Sequence, residues 1–74
     1  MKYIVINHTD MIIFQRYVSH DDMANDNGGA DKVTSAGLVE NVDGELSCTG
    51  YSHSLGIESK KSDTELMRSA LRLL

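Results

Sequence analysis

The stretch Val33 to Ser59, VTSAGLVENVDGELSCTGYSHSLGIES, decides the fold. Two runs of strand-forming residues flank Asp43-Gly44. Both central residues of a tight hairpin turn need φ > 0, and Asp-Gly adopts that geometry at low steric cost. The turn fixes a register. Val42 faces Glu45, Asn41 faces Leu46, Glu40 faces Ser47, Val39 faces Cys48 and Leu38 faces Thr49, and the pairing continues to Gly37 with Gly50 and Ala36 with Tyr51. Val39, Cys48, Leu46 and the two glycines then share the face better suited to the core, and Ala36, Leu38, Tyr51 and Thr49 share the other. The opposed glycines leave a dip. A helix side chain, a strand bend or a ligand could fill it, and a bend or close backbone approach is expected.

Upstream, Lys2–Asn7 (KYIVIN) reads as a strand and Met11–Val18 (MIIFQRYV) as a second, with a polar turn at Asn7–Asp10. With His8-Thr9 as the loop, Ile6 faces Met11, Val5 faces Ile12, Ile4 faces Ile13 and Tyr3 faces Phe14. Both faces of this ribbon then carry large apolar groups and need cover. So short a chain has little helix to supply it, so a second subunit is expected and the chain is read as a homodimer.

Ser19–Asp31 is polar and contains Gly28-Gly29. Ser19 has the character of an N-cap, with Asp21 and Asp22 favourably placed for the first-turn dipole. A two-turn helix stopped by Gly28 and a mobile loop both fit, and neither packs deeply with only Met23, Ala24 and Ala30 apolar. Ser62-Asp63-Thr64-Glu65 matches the S-x-x-E capping box. Leu66, Met67, Ala70, Leu71, Leu73 and Leu74 follow at helical spacing, with Arg68 and Arg72 on the polar side. The expected fold is α+β: a single domain, residues 1–74, with a small antiparallel sheet of two β-hairpins and a C-terminal amphipathic helix packed on it.

A 74-residue chain buries only about 60 % of its unfolded surface, so stability is expected to be marginal. Cys48 is the single cysteine, which rules out an internal disulfide and suits a reducing compartment. The net charge of −4 and the scattered basic residues argue against nucleic-acid binding. The apolar run Tyr3–Ile6 stops at Asn7, too short for a secretory h-region, and nothing approaches a membrane span of roughly 20 apolar residues. A soluble cytoplasmic protein without membrane association is expected.

Chemical motifs are sparse. Asn25-Asp26-Asn27-Gly28 has the look of a calcium loop. With Gly28 at its sixth position, however, Met23 and Thr34 occupy the first and twelfth, where acids are needed. His8, His20, His53 and Cys48 lack zinc-ligand spacing, so no metal and no cofactor are expected. Gly50-Tyr51-Ser52-His53-Ser54 departs from the G-x-S-x-G elbow at its last position. Cys48 falls on the expected core face, where thiols are inert. No catalytic residue is assigned, and the chain is read as a non-enzyme. Tyr51, Ser52, His53 and Ser54 concentrate hydroxyls, an imidazole and a ring, a set suited to a small polar or anionic ligand. Asp21, Asp22 and Asp26 form an acidic surface suited to a partner protein.

The runs Ser35–Val39 and Gly50–Ser59, followed by Asp63-Thr64, resemble the C-terminal block of short uncharacterised proteins carried by phages and prophages. The resemblance covers about half the chain. It implies a chain that binds a host protein or counters a defence system in the host cytoplasm. The expected function is a non-catalytic protein–protein interaction module, a phage-encoded inhibitor. The alternative is a protein that binds or sequesters a nucleotide-like ligand near residues 51–54.

Overall fold

The computed structural model describes residues 1–72. It is α+β. Strand β1 (Lys2–Ile6) pairs with β2 (Asp10–Phe14), α1 (His20–Asp26) follows, and a single 3-10 turn (Ala30–Lys32) leads into β3 (Val33–Val42). Then come β4 (Glu45–Thr49), the short β5 (Tyr51–Ser52) and β6 (Ile57–Glu58), and helix α2 (Ser62–Arg72). The main sheet is antiparallel in the order β2-β1-β3-β4, and β5 and β6 form a separate two-stranded ribbon. No helix among the described residues is long and apolar enough to cross a membrane.

The β3–β4 hairpin has the expected register from Val42↔Glu45 to Leu38↔Thr49. Asp43 (φ 53°) and Gly44 (φ 87°) take the two left-handed turn positions, and Asn41 Oδ1 accepts the Gly44 N–H at 2.9 Å. Pairing does not continue to Gly37 and Gly50. Gly50, at φ 80°, turns the chain out of the sheet, while Gly37 pairs with Tyr3 of β1 instead. The dip is filled by backbone: a Cβ on Gly37 would collide with the Thr49 carbonyl oxygen.

The first hairpin departs from the expected register by one residue, with Ile4↔Ile12 and Ile6↔Asp10. Asn7 (φ 49°) and His8 (φ 66°) occupy the left-handed positions, and the Thr9 N–H closes the turn on the Ile6 carbonyl at 3.1 Å. Asn tolerates φ > 0, whereas a β-branched Thr there is strained, so Thr9 becomes an extra residue before pairing resumes. A one-residue slip exchanges the faces of the whole strand. Ile12 and Phe14 therefore join Ile4 and Ile6. Strand β2 also ends at Phe14, short of the expected Val18, because Gln15–Val18 forms a turn with the Val18 N–H on the Gln15 carbonyl.

Ile4, Ile6, Phe14, Val33 and Ala36 form one buried face with Ala24 of α1, flanked by Met23, Leu55 and Ile57. Ala24 and His20 are buried, so α1 packs more deeply than its composition suggests. Its N-cap is Ser19, whose hydroxyl accepts the Asp22 N–H at 3.3 Å. The opposite face carries Tyr3, Val5 and Ser35 beneath Asp63 and Met67 of α2. Burying each large side chain here contributes roughly 1.5–3 kcal/mol. Both sheet faces are thus covered from within the chain. The expectation that one face is left for a partner is corrected: α2 takes one face, and α1 with the β5–β6 ribbon takes the other.

Helix α2 starts differently from the capping box read in the sequence. Ser62 is already helical. The reciprocal bond runs instead from the Lys60 N–H to the Asp63 carboxylate at 2.9 Å. Met67 is buried and Leu66 half-buried, but Ala70 and Leu71 are exposed. Leu73 and Leu74 lie outside the described residues.

Candidate functional site

Ribbon β5–β6 builds the site. Its turn is closed by the Gly56 N–H on the Ser52 carbonyl at 2.9 Å and by the Leu55 N–H on Ser52 Oγ at 3.2 Å. Ser52 is buried and lies 3.4 Å from Ser54 Oγ. Its hydroxyl holds the turn, so of the four residues singled out as ligand-binding, Ser52 has a structural role. Tyr51 and His53 stand exposed as an edge-to-face pair, centroids 4.6 Å apart.

These residues face α1 across a cleft of about 350 Å³ lined by Lys2, Ser19, His20, Leu38, Tyr51, His53 and Ser54. The Lys2 ammonium donates to the Val18 carbonyl at 2.9 Å. The ring of His20 is only 4 % exposed and packs edge-on against Phe14, centroids 5.6 Å apart. Its Nε2 lies 2.9 Å from the Gly37 carbonyl. A carbonyl only accepts, so Nε2 carries the hydrogen. His20 is thus fixed in orientation at the cleft wall.

The three acidic residues separate. Asp21 is half-buried at the start of α1. The Ser19 hydroxyl, chiefly, outweighs the opposing effect of burial and, with lesser help from first-turn N–H groups and Ser54, holds its carboxyl below the usual range. Asp22 and Asp26 are exposed one turn apart on α1 and face solvent. Asp21 therefore sits between the Ser19 cap and Ser54, while Asp22 and Asp26 form the acidic surface.

A second polar cluster lies inside the protein. The buried Asp63 carboxylate accepts from Tyr3 Oη at 2.6 Å, Ser35 Oγ at 2.9 Å and the Lys60 N–H at 2.9 Å. Three donors offset the desolvation of the charge. Burial first, then donation to Asp63 and its negative charge, push the Tyr3 phenol well above its ordinary value. Cys48 lies alongside, its Sγ 3.9 Å from Met67 Sδ. Burial, reinforced by the Asp63 charge, pushes its thiol up to about 11. A thiol so raised stays protonated near neutrality and is a poor nucleophile.

Among the described residues no three His, Cys, Asp or Glu side chains are arranged to hold a metal ion. The cleft can therefore offer donors, acceptors, one ammonium and an aromatic rim, which suit binding. Lys2, Ser19 and His20 were not singled out in the sequence as site residues. They come from segments far from Tyr51, and no spacing rule joins them; the Ser19 cap was the one local signal at that wall. Compared with family models, curated proteins and solved structures, the chain matches none.

Proposed function

We propose that this protein is a non-catalytic protein-interaction module, acting as small phage-encoded proteins do when they inhibit a host or defence protein. One observation carries the reading: the buried polar cluster of Tyr3, Asp63 and Cys48 is engaged inside the fold, while the aromatic and aliphatic side chains of Tyr51 and Leu38 stand exposed beside a cleft. Asp63 and Tyr3 satisfy each other, and the Cys48 thiol is raised. Tyr51 is 55 % and Leu38 37 % exposed beside the cleft. An exposed tyrosine beside a concavity is a common anchor of a protein interface, and Leu38 adds apolar area next to it. The contact surface is the Leu38–Tyr51–His53 rim, and Asp22 and Asp26 supply an acidic flank that steers a basic partner.

Capture from host lysate by the wild-type chain and by Tyr51→Ala, Leu38→Ala and Asp22→Asn/Asp26→Asn variants tests this. The expected result is one protein held stoichiometrically and lost with Tyr51→Ala or Leu38→Ala. Undiminished capture by both rim variants would remove the rim from the interface.

A second reading follows from the cleft lining, where the Lys2 ammonium and the imidazole of His53 stand with the hydroxyls of Ser19, Ser54 and Tyr51. Those groups suit a small anionic, nucleotide-like ligand. Melting of the protein in the presence of a nucleotide panel tests it. A rise of several degrees that His53→Ala abolishes supports the ligand reading, and an unchanged melting temperature across the panel ends it.

A further inference from the structure

The two edges of the main sheet are treated differently. The Val39 N–H donates to the Met1 carbonyl at 2.8 Å, which sets the hydrogen-bonding parity of the whole sheet. In antiparallel pairing, alternate residues of a strand turn their N–H and C=O to opposite neighbours. Odd-numbered residues of β1 therefore bond to β3 and even-numbered ones to β2. The same alternation carried through β3 turns Leu46 and Cys48 of β4 outward.

Those outward groups are occupied. The Cys48 N–H donates to Thr64 Oγ1 at 3.0 Å and Arg68 Nη2 donates to the Leu46 carbonyl at 3.4 Å. Thr64 and Arg68 are four apart on α2, so one helical face covers the β4 edge. These contacts also confirm the parity independently.

Carried to the other side, the alternation turns Asp10, Ile12 and Phe14 of β2 inward, as the pairs Ile6↔Asp10, Ile4↔Ile12 and Lys2↔Phe14 require. The N–H and C=O groups of Met11 and Ile13 point outward. Among the described residues no group from the chain bonds to them. Met11, Ile12 and Ile13 are only half-buried. Strand β2 (DMIIF) contains no lysine or proline to discourage edge pairing.

We propose that the β2 edge is a self-association surface that pairs antiparallel with β2 of a second copy about a two-fold axis at Ile12, giving a continuous eight-stranded sheet. The outward parity selects the register. Met11 bonds to Ile13 of the second copy and Ile13 to its Met11, making four backbone hydrogen bonds, with Ile12 opposite Ile12. A register centred on Met11 or Ile13 also satisfies the parity but leaves part of the strand overhanging. In the centred register the acidic first residue of one strand, Asp10, lies opposite the last residue of the other, Phe14, two positions in sequence before the basic Arg16. This register sets Met11 and Ile13 of the two copies side by side, covering apolar surface that each chain alone leaves half exposed. Because the β4 edge is occupied by α2, each chain has one open edge, and the contact closes as a dimer instead of growing into a filament. This surface lies apart from the Leu38–Tyr51–His53 rim and does not rest on the function proposed for it.

Three measurements test the surface. Backbone amide exchange in the wild-type protein reads the edge directly. In the proposed dimer the Met11 and Ile13 amides become protected as concentration rises; if they exchange fast at every concentration while Ile12 is protected, the edge is open and the proposal is wrong. Sedimentation over about 10 µM to 1 mM, a range suited to a small interface, is expected to show a species of twice the 8.2 kDa chain mass. A monomer throughout overturns the proposal and leaves the edge to a strand from another protein. In a Cys48→Ala background, Ile12→Cys should cross-link to itself on oxidation, and Met11→Cys mixed with Ile13→Cys should cross-link to each other. Met11→Cys alone should cross-link at least tenfold less. A dimer with equal cross-linking at all three positions overturns the register and places the interface elsewhere.

Discussion

The Tyr3 hydroxyl donates to the Asp63 carboxylate at 2.6 Å across sixty positions of sequence, tying the first strand to the last helix. Ser35 of β3 and the Lys60 amide complete the shell of donors around the same carboxylate. The cluster holds α2 over β1 and β3, and through α2 it secures the cover on the β4 edge.

Removing one member should therefore cost more than a surface change. Tyr3→Phe is expected to destabilise by about 1.5–3 kcal/mol, the range for a hydrogen bond to a charged group. Asp63→Ala leaves three donors unpaired and is expected to cost about 3–5 kcal/mol. Urea denaturation reads both as a lower midpoint at constant slope. A Tyr3→Phe midpoint equal to wild type would show that the bond contributes nothing net.

Gly37 and Gly50 should respond differently to alanine. Gly37→Ala places a Cβ against the Thr49 carbonyl oxygen, a backbone atom with little room to move. Gly50→Ala meets only the Leu38 side chain at 3.8 Å, but must hold φ near 80°. The expected costs are more than about 3 kcal/mol for the collision and about 1–2 kcal/mol for the strained φ. Thermal melting should rank Gly37→Ala clearly below Gly50→Ala.

Stability should fall in alkali. Cys48 rises from 9.0 to about 11 on folding, and Tyr3 rises from 10.0. A raised value means that the folded state keeps a proton the unfolded chain gives up. The contribution is therefore complete below pH 9 and declines as pH climbs through the folded values. Denaturation midpoints measured from pH 8 to 11 should decrease, and Cys48→Ala should flatten the part of the decline between 9 and 11.

Freeing the β4 edge should change how the protein assembles. Thr64→Val removes the acceptor for the Cys48 N–H, and Arg68→Ala removes the donor to the Leu46 carbonyl. The double variant is expected to lose about 1–2 kcal/mol of stability and to form species larger than a dimer, because each chain then has two open edges. Light scattering against concentration checks this, and a mass unchanged from wild type would count against edge protection by α2.

The C-terminal helix formed as expected, α1 with its Ser19 cap decided between the helix and the loop that Ser19–Asp31 left open, and the β3–β4 register was legible because Asp43-Gly44 admits few alternatives. The first hairpin slipped because Asn7-His8-Thr9-Asp10 offers more than one turn, and only the steric preference of Asn over Thr for φ > 0 decides among them. In the sequence Asp63 stands out only as a member of the Ser62–Glu65 capping box; its burial depends on α2 lying across β1 and β3, which no local pattern encodes. The binding residues divided in the same way. Tyr51, His53 and Ser54 were visible as a composition, whereas Lys2 and His20 joined them only when α1 folded against the sheet.

The sequence by itself determined the α+β class, the central hairpin and its register, and the C-terminal helix, because turn geometry, capping and hydrophobic period act over a few neighbouring residues. Tertiary structure alone decided which face of β2 is buried, what surrounds Asp63, what walls the cleft and which sheet edge stays open. Each of those depends on contacts between segments tens of residues apart, and the positions of such segments are set by packing the whole chain.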